Sequence, residues 1–551
     1  MSVSHFSLAG LGQEIRQAEP TYESSRQRAY FTLRSRIEGY EYTDTPDKCG
    51  LPVIAAAMAD RIRLAPDERA ALDLLLQREE RQKFIVAGSF RIHYDTVGVH
   101  APAMLDSSHQ RVDGTANEFA DSVAAIINHV ARADSVMRYL LPPSDGGEGG
   151  SSEYDIYIGE LGNLYGETTP ETKLDSKPDG SRYTTFIRID NDFIFVNPAS
   201  NRGMPALRVT LAHEFHHAIQ IGSYGFWTND VYYYEISSVW MEDLLYTDVN
   251  DYYQYLTSSQ GHFDRPDVPF NSNMLVMYSR GIWGHYVTKK YGLDAMRRSW
   301  EFVSTNRPLE AIDNALQEEP YSSNFRSAFA EWTLWNLHTG IRSDASQYYP
   351  EGDDYPDITQ TVVQFTPPSR SIAGSLGTLA ARYYRVLTQT VDFILILSNL
   401  NLEEAVEDNN TLFPYSLQLN VNRADASYEP TAAGIFVKLN VSDPTNWWTW
   451  GTVGGTTEGV AFPNPFLTDG RGFVNFSVSS QVEVSGKLNI YSSSMDLVYS
   501  ATEFSSEFLG EHIFRWSGRT NDNELAQSGV YIFVLELPNR IVKGKFALIR
   551  K

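Results

Sequence analysis

Cysteine is the scarcest resource in this chain: Cys49 is the only one among 551 residues. A single thiol excludes an internal disulfide, and with no cysteine-based motif around it Cys49 reads as a small buried side chain rather than a nucleophile. Long apolar runs are absent too. None reaches the roughly 18 residues that a membrane-spanning helix needs, so no transmembrane segment is expected. Basic residues are outnumbered, 45 Lys and Arg against 69 Asp and Glu, for a formal net charge of -24. That balance argues against nucleic acid or an anionic membrane as partner and suits a protein working outside the cell. The opening residues MSVSHFSLAGLGQEIRQ lack the basic start and apolar core of a signal peptide, so export would need a leader that they do not supply.

What is present is globular, with 42% hydrophobic and 21% charged residues. The length predicts about three or four domains. The stretch around which they are organised is LRVTLAHEFHHAIQI, residues 207–221. Within it His213, Glu214 and His217 match H-E-x-x-H. On a helix, positions four apart face the same way, so both imidazoles can reach one metal ion, and Glu214 is placed to take a proton from water at that ion. Pro205 suits the first turn, Val209, Ala212, Phe215 and Ile219 recur at helical spacing, and Gly222 offers a stop. His216 lies one position off the ligand face and reads as structural.

A catalytic zinc takes three protein ligands and keeps one open position. Residues 234–246, YEISSVWMEDLLY, predict a second helix on which Glu235 and Glu242 fall near one face, two turns apart. Glu235 is the preferred third ligand, with Glu242 the alternative.

HEFHHAIQ followed by YYYEISSVWMEDLLYTDVNDYYQYL resembles the H-E-F-F-H-x-x-Q and E-x-x-A-x-W-x-E-D pairing of a family of secreted bacterial metalloproteases with a two-His-one-Glu zinc site. His216 and Ser238 depart from that pattern at positions that are not predicted ligands. FRIHYDTVG and YDIYIGELGNLYG also resemble the family's N-terminal half, and the likeness spans roughly residues 85–345. It implies a gluzincin-like fold, a mixed sheet plus a helical half, with His213, His217 and Glu235 on Zn2+ and Glu214 as general base. It also implies that the helical half supplies an oxyanion stabiliser, Tyr278, with His285 as the alternative.

The remaining stretches set the domain plan. Residues 1–88 read as helical, a prosegment or an appendage. Residues 89–345 are the metallopeptidase domain, with strands at 89–95, 154–158, 184–189 and 193–196 and a helix at 121–137. His93 and Asp95 alternate onto one strand face and read as a hydrogen-bonded pair rather than a second metal site. Asp113 to Asp121 has the oxygen spacing of a Ca2+ loop without the EF-hand order. Residues 346–458 alternate as a β-sandwich in which Trp447, Trp448 and Trp450 are a candidate ligand patch. Residues 459–551 have turn signals every 8–12 residues or so, the spacing of a sandwich of about seven strands. The order F-P-N-P-F, I-Y, W-x-G, S-G-V-Y and a basic ending resembles the Ig-like C-terminal sorting domain of type IX secretion substrates and of flagellar hook-capping proteins.

The expectation is therefore a multidomain α+β protein: a gluzincin-like domain followed by two all-β sandwiches. It would be secreted or on the surface of a bacterium, acting on protein or peptide and handled by the type IX machinery. The alternative is a surface-binding or adhesion protein with a structural or vestigial metal site.

Overall fold

The computed structural model describes residues 25–35, 47–143, 147–177, 179–365, 369–387, 393–408, 411–420, 436–440, 461–462, 465–468, 472–477, 485–492, 496–508, 511–537 and 540–550. The chain is mixed α+β and divides into two compact units. One is drawn from residues 1–262, 271–325 and 345–351, the other from 263–270, 326–344 and 352–551.

The first unit begins with α1 (Ser25–Arg34), β1 (Asp47–Cys49), α2 (Leu51–Ala59) and α3 (Pro66–Leu75). Then come β2 (Lys83–Ala87), β3 (Phe90–Tyr94), a short ribbon of β4 (Met104–Leu105) and β5 (Arg111–Val112), and the long α4 (Ala116–Val136). β6 (Tyr154–Gly159), β7 (Leu164–Lys173) and β8 (Tyr183–Asp190) complete a six-stranded sheet ordered β1-β7-β8-β6-β3-β2. The helices that follow are α5 (Met204–Ile219), α6 (Val231–Leu245), α7 (Tyr253–Leu256), α8 (Val276–Ser279), α9 (Ile282–Tyr291), α10 (Leu293–Val303) and α11 (Pro308–Gln317).

α5 touches β7 and β8 as well as α4 and α6. Its residues from Ala206 to Ile219 are buried almost without exception, Arg208 being the one partial break. A helix apolar all round belongs in the middle of a unit, where its few polar side chains must find partners. The expected stop at Gly222 is displaced. The helix widens into a π-turn over Gln220–Tyr224 and ends at Gly225, whose φ of 133° only glycine adopts readily.

Three expectations change here. β7 was not anticipated because LYGETTPETK carries Gly166 and Pro170, both strand-breaking signals. Pro170 is accommodated where the β7–β8 ladder becomes irregular, between Pro170 and Lys173. Residues 193–196 are a turn rather than a strand, since the Asp190 carboxylate accepts from the backbone N–H groups of Asp192 and Phe193. The N-terminal segment is not wholly helical: β1 joins the sheet parallel to β7, and β2, inside residues 1–88, forms the hairpin with β3.

The second unit contains α12 (Phe325–Trp335) beyond its first residue. The physical reason is visible in its contacts: the Tyr383 hydroxyl donates to the Thr333 carbonyl at 2.7 Å, and Arg326 donates to the Leu400 carbonyl at 3.3 Å. Strands β9 (Thr361–Gln364), β10 (Ser369–Leu376), β11 (Ala381–Leu387), β12 (Phe393–Ser398), β13 (Phe413–Asn420) and β14 (Phe436–Asn440) follow. A β10–β13 pair and a β14-β12-β11-β9 sheet share one core that includes Ile372, Leu376, Tyr384, Val386 and Leu397. The tail forms a five-stranded and a four-stranded sheet over a separate core, in which Phe476 meets Phe533 with ring centroids 4.5 Å apart. The tryptophans at 447, 448 and 450 lie outside the described residues. Among the described residues no helix is long and apolar enough to cross a membrane.

Candidate metal centre

α5 and α6 lie against each other and bring His213, His217 and Glu235 to one point. His213 Nε2 is 2.9 Å from His217 Nε2 and 3.1 Å from Glu235 Oε2, and Glu235 Oε1 is 3.3 Å from His217 Nε2. A tetrahedron with arms of about 2.0–2.1 Å has edges of roughly 3.3 Å, so three donors at these separations fit one small cation. All three side chains are fully buried, where two imidazoles and a carboxylate are costly to hold without a shared partner. Burial pushes the Glu235 carboxyl up, but His217 and His213 outweigh it and hold it at about 2. Burial lowers His213, but its hydrogen bonds to Glu235 and Glu242 and their charges raise it to about 10.

Each imidazole is oriented by a second partner. His213 Nδ1 lies 2.7 Å from Glu242 Oε1, so Nδ1–H donates there and Nε2 keeps its lone pair for the centre. Glu242 is thus placed behind His213 rather than in the donor set. His217 Nδ1 lies 2.8 Å from Gln220 Oε1, and Gln220 is itself held by donating to Ser237 Oγ at 3.0 Å. The role of Gln220 went unrecognised in the sequence; its signal was the spacing His217-x-x-Gln220.

Glu214 sits between the two histidines on the same helix. Thr168 of β7 donates its hydroxyl to Glu214 Oε2 and to the Glu214 carbonyl, both at 2.8 Å, while Oε1 is buried with no hydrogen bond. Burial raises the Glu214 carboxyl above the ordinary carboxylate range, against the pull of His213 and His217. Gly166 lets β7 come this close. A Cβ there would lie 3.0 Å from Glu214 Cγ and 2.9 Å from the Arg188 carbonyl oxygen.

The fourth member of the group was not foreseen. Cys49 is fully buried, and its sulfur falls within 4.8 Å of donor atoms on His213, His217 and Glu235. Burial and the charges of Glu214 and Glu235 push the metal-free thiol well above its usual pKa. Periodicity could not find it, because the strand that carries it is only Asp47-Lys48-Cys49.

The other candidate residues have these neighbours. Tyr278 is buried on α8 with its ring 5.1 Å from Tyr255. His285 is 3.5 Å from Asp243, and burial lowers it to about 4. His216 packs edge-on against Tyr139 at 5.1 Å, and burial keeps its imidazole neutral. His93 pairs with Asp155 at 2.6 Å instead of Asp95, which accepts from the Gln82 backbone at 2.7 Å. Asp113 to Asp121 is not a loop throughout, since α4 begins at Ala116 and Asn117 accepts from Lys83 and Tyr94.

No family model matches the chain, and no curated protein matches it. Among solved structures it is similar to PorZ, described as an essential bacterial surface component of the type-IX secretion system of Porphyromonas gingivalis. That match has 21% identity over 17% of this chain and 11% of the other, with a TM-score of 0.13. A second similarity is to dimeric latent PorU from Porphyromonas gingivalis, at 12% identity over 34% of this chain and 13% of the other, with a TM-score of 0.15. The chain therefore spans only about an eighth or less of each of these structures, and at such TM-scores neither likeness assigns a fold or a function.

Proposed function

We propose that this chain is an exported zinc-dependent endopeptidase of the two-His-one-Glu, gluzincin-like type, with a C-terminal type IX sorting domain. The observation that carries the reading is the convergence of His213 Nε2, His217 Nε2 and the Glu235 carboxylate, with the free Oε1 of Glu214 on the same helix. Zinc bound there would supply Lewis acidity toward a peptide carbonyl and toward water. His213 and His217 hold their donor nitrogens outward because Glu242 and Gln220 take the opposite N–H. Glu214 receives a proton from the attacking water at Oε1 and returns it to the departing amine nitrogen, while Thr168 keeps Oε2 in place. The test is cleavage of casein by the purified chain, abolished by a chelator and restored by zinc. A zinc-loaded chain that cleaves nothing across a broad peptide library, both as wild type and as Cys49→Ser, overturns the proposal.

A second reading, a closed structural metal site in a binding protein, draws on Cys49, since four protein donors are the mark of structural zinc. Glu214 weighs against it, because a structural site has no use for an unpaired buried carboxylate oxygen.

The sorting role rests on the tail's motif order and on its own buried core. Deleting residues 459–551 should leave a folded peptidase but stop its export from a host with type IX secretion. Undiminished secretion of the truncated chain, followed by immunoblot of medium and cells, would rule the role out.

A further inference from the structure

β1 occupies the edge of the sheet beside α5. It pairs parallel with β7, Asp47 opposite Leu164 and Cys49 opposite Gly166, through bonds from Asp47 N to the Asn163 carbonyl (2.8 Å) and from Gly50 N to the Gly166 carbonyl (2.9 Å). An edge strand lining a peptidase cleft is where an extended substrate would add as a further strand. Here that edge of β7 is paired with the chain's own β1.

The segment reaches the centre at two depths. Cys49 Sγ joins the donor group of His213, His217 and Glu235. It also accepts from the Leu51 backbone N–H at 3.3 Å, at the start of the nine-residue α2. One residue earlier, the buried Lys48 ammonium lies 2.7 Å from Glu242 Oε2 and 2.6 Å from Asp251 Oδ2. It therefore grips the carboxylate that orients His213. Close approach is allowed by Gly50, where a Cβ would lie 2.7 Å from both Cβ and Oε2 of Glu167.

We infer that Cys49 is a fourth, displaceable ligand of the zinc centre, and that residues 47–59, with α1 packed on them, form an inhibitory element which seals both the metal and the substrate-binding edge. This rests on the peptidase reading above. On coordination the thiol proton passes to solvent and sulfur fills the position that water needs. When β1 leaves, water takes that position and β7 becomes free to pair with substrate. The segment is built to act as a unit: α1, α2 and α3 share one core, and Arg34 holds Asp47 at 2.9 Å. The turn between α2 and α3 offers a place to cut it loose, since Ile62 there is 95% exposed.

The test uses the full chain as wild type, Cys49→Ser and Cys49→Ala, each loaded with Co2+. Cobalt content should be equal in all three, and a sulfur-to-cobalt charge-transfer band should appear in the near ultraviolet only in the wild type. If the open form is about 1% populated in the wild type, casein turnover should rise on the order of 100-fold in both variants. A cobalt-loaded wild type without the band overturns Cys49 as ligand, and chelator-sensitive cleavage by that same protein would leave the peptidase reading standing. A band with no cleavage by any of the three overturns the peptidase reading and the inhibitory role while keeping the ligand. A band with equal turnover in wild type and variants overturns the inhibitory role alone. A wild type that takes up no cobalt overturns both readings.

Discussion

Glu214→Gln should retain zinc and melt within a degree or two of the parent, yet lose turnover by a factor on the order of 10²–10⁴, about 3–5 kcal/mol of transition-state stabilisation. Glutamine keeps the shape of the side chain and can still accept from Thr168, whose hydroxyl reaches Glu214 Oε2 at 2.8 Å. What it cannot do is take a proton at the position of Oε1, the buried oxygen that makes no hydrogen bond. The measurement should be made in both the wild-type and Cys49→Ser backgrounds, so that a sealed site does not hide the loss. A fall in turnover accompanied by loss of zinc would point to a ligand or structural role for Glu214. Unchanged turnover in the Cys49→Ser background would remove Glu214 from the chemistry altogether.

The second large effect separates donors from the groups behind them. His213→Ala and Glu235→Ala each take away a donor that lies within 3.1 Å of its neighbour, and both should empty the centre and abolish activity together. Glu242→Ala should weaken zinc binding by only about 10–100-fold, the usual cost of removing a partner that orients a ligand, because Glu242 holds His213 through Nδ1. Gln220→Ala should act in the same range on His217, through the 2.8 Å contact at its Nδ1. Zinc titrations against a competing chelator give the comparison. Should Glu242→Ala strip the metal while Glu235→Ala keeps it, the two carboxylates have exchanged roles.

How much of this was legible beforehand depends on the distance along the chain over which each feature is written. His213 and His217, the Glu214 carboxylate between them, and the helix that carries them are local, set by four-residue spacing and helical periodicity within one short stretch. The strands of the C-terminal half were readable for the same reason: period-two alternation between turn residues lies close to the observed β11, β12, β13 and β14. On α6 the sequence narrowed the choice to Glu235 and Glu242, which lie on one face. Only packing against α5 turned Glu235 toward both histidines and set Glu242 behind His213.

Two parts of the site had no local signature. β7 is spelled LYGETTPETK, and its Gly166 and Pro170 argue against a strand until neighbours supply the ladder; Gly166 is there so that backbone can approach Glu214. β1 is three residues long and polar, too short for any periodicity to register. Cys49 and His213 are more than 160 residues apart in the chain, so nothing in the spacing of either predicts that they meet. The amino-acid sequence by itself determined a paired-histidine helix with a carboxylate between the pair and two β-rich C-terminal regions. Which carboxylate joins the histidines, and that the lone thiol joins them too, was decided by tertiary structure, because those contacts exist only once β1, β7, α5 and α6 are packed around one buried point.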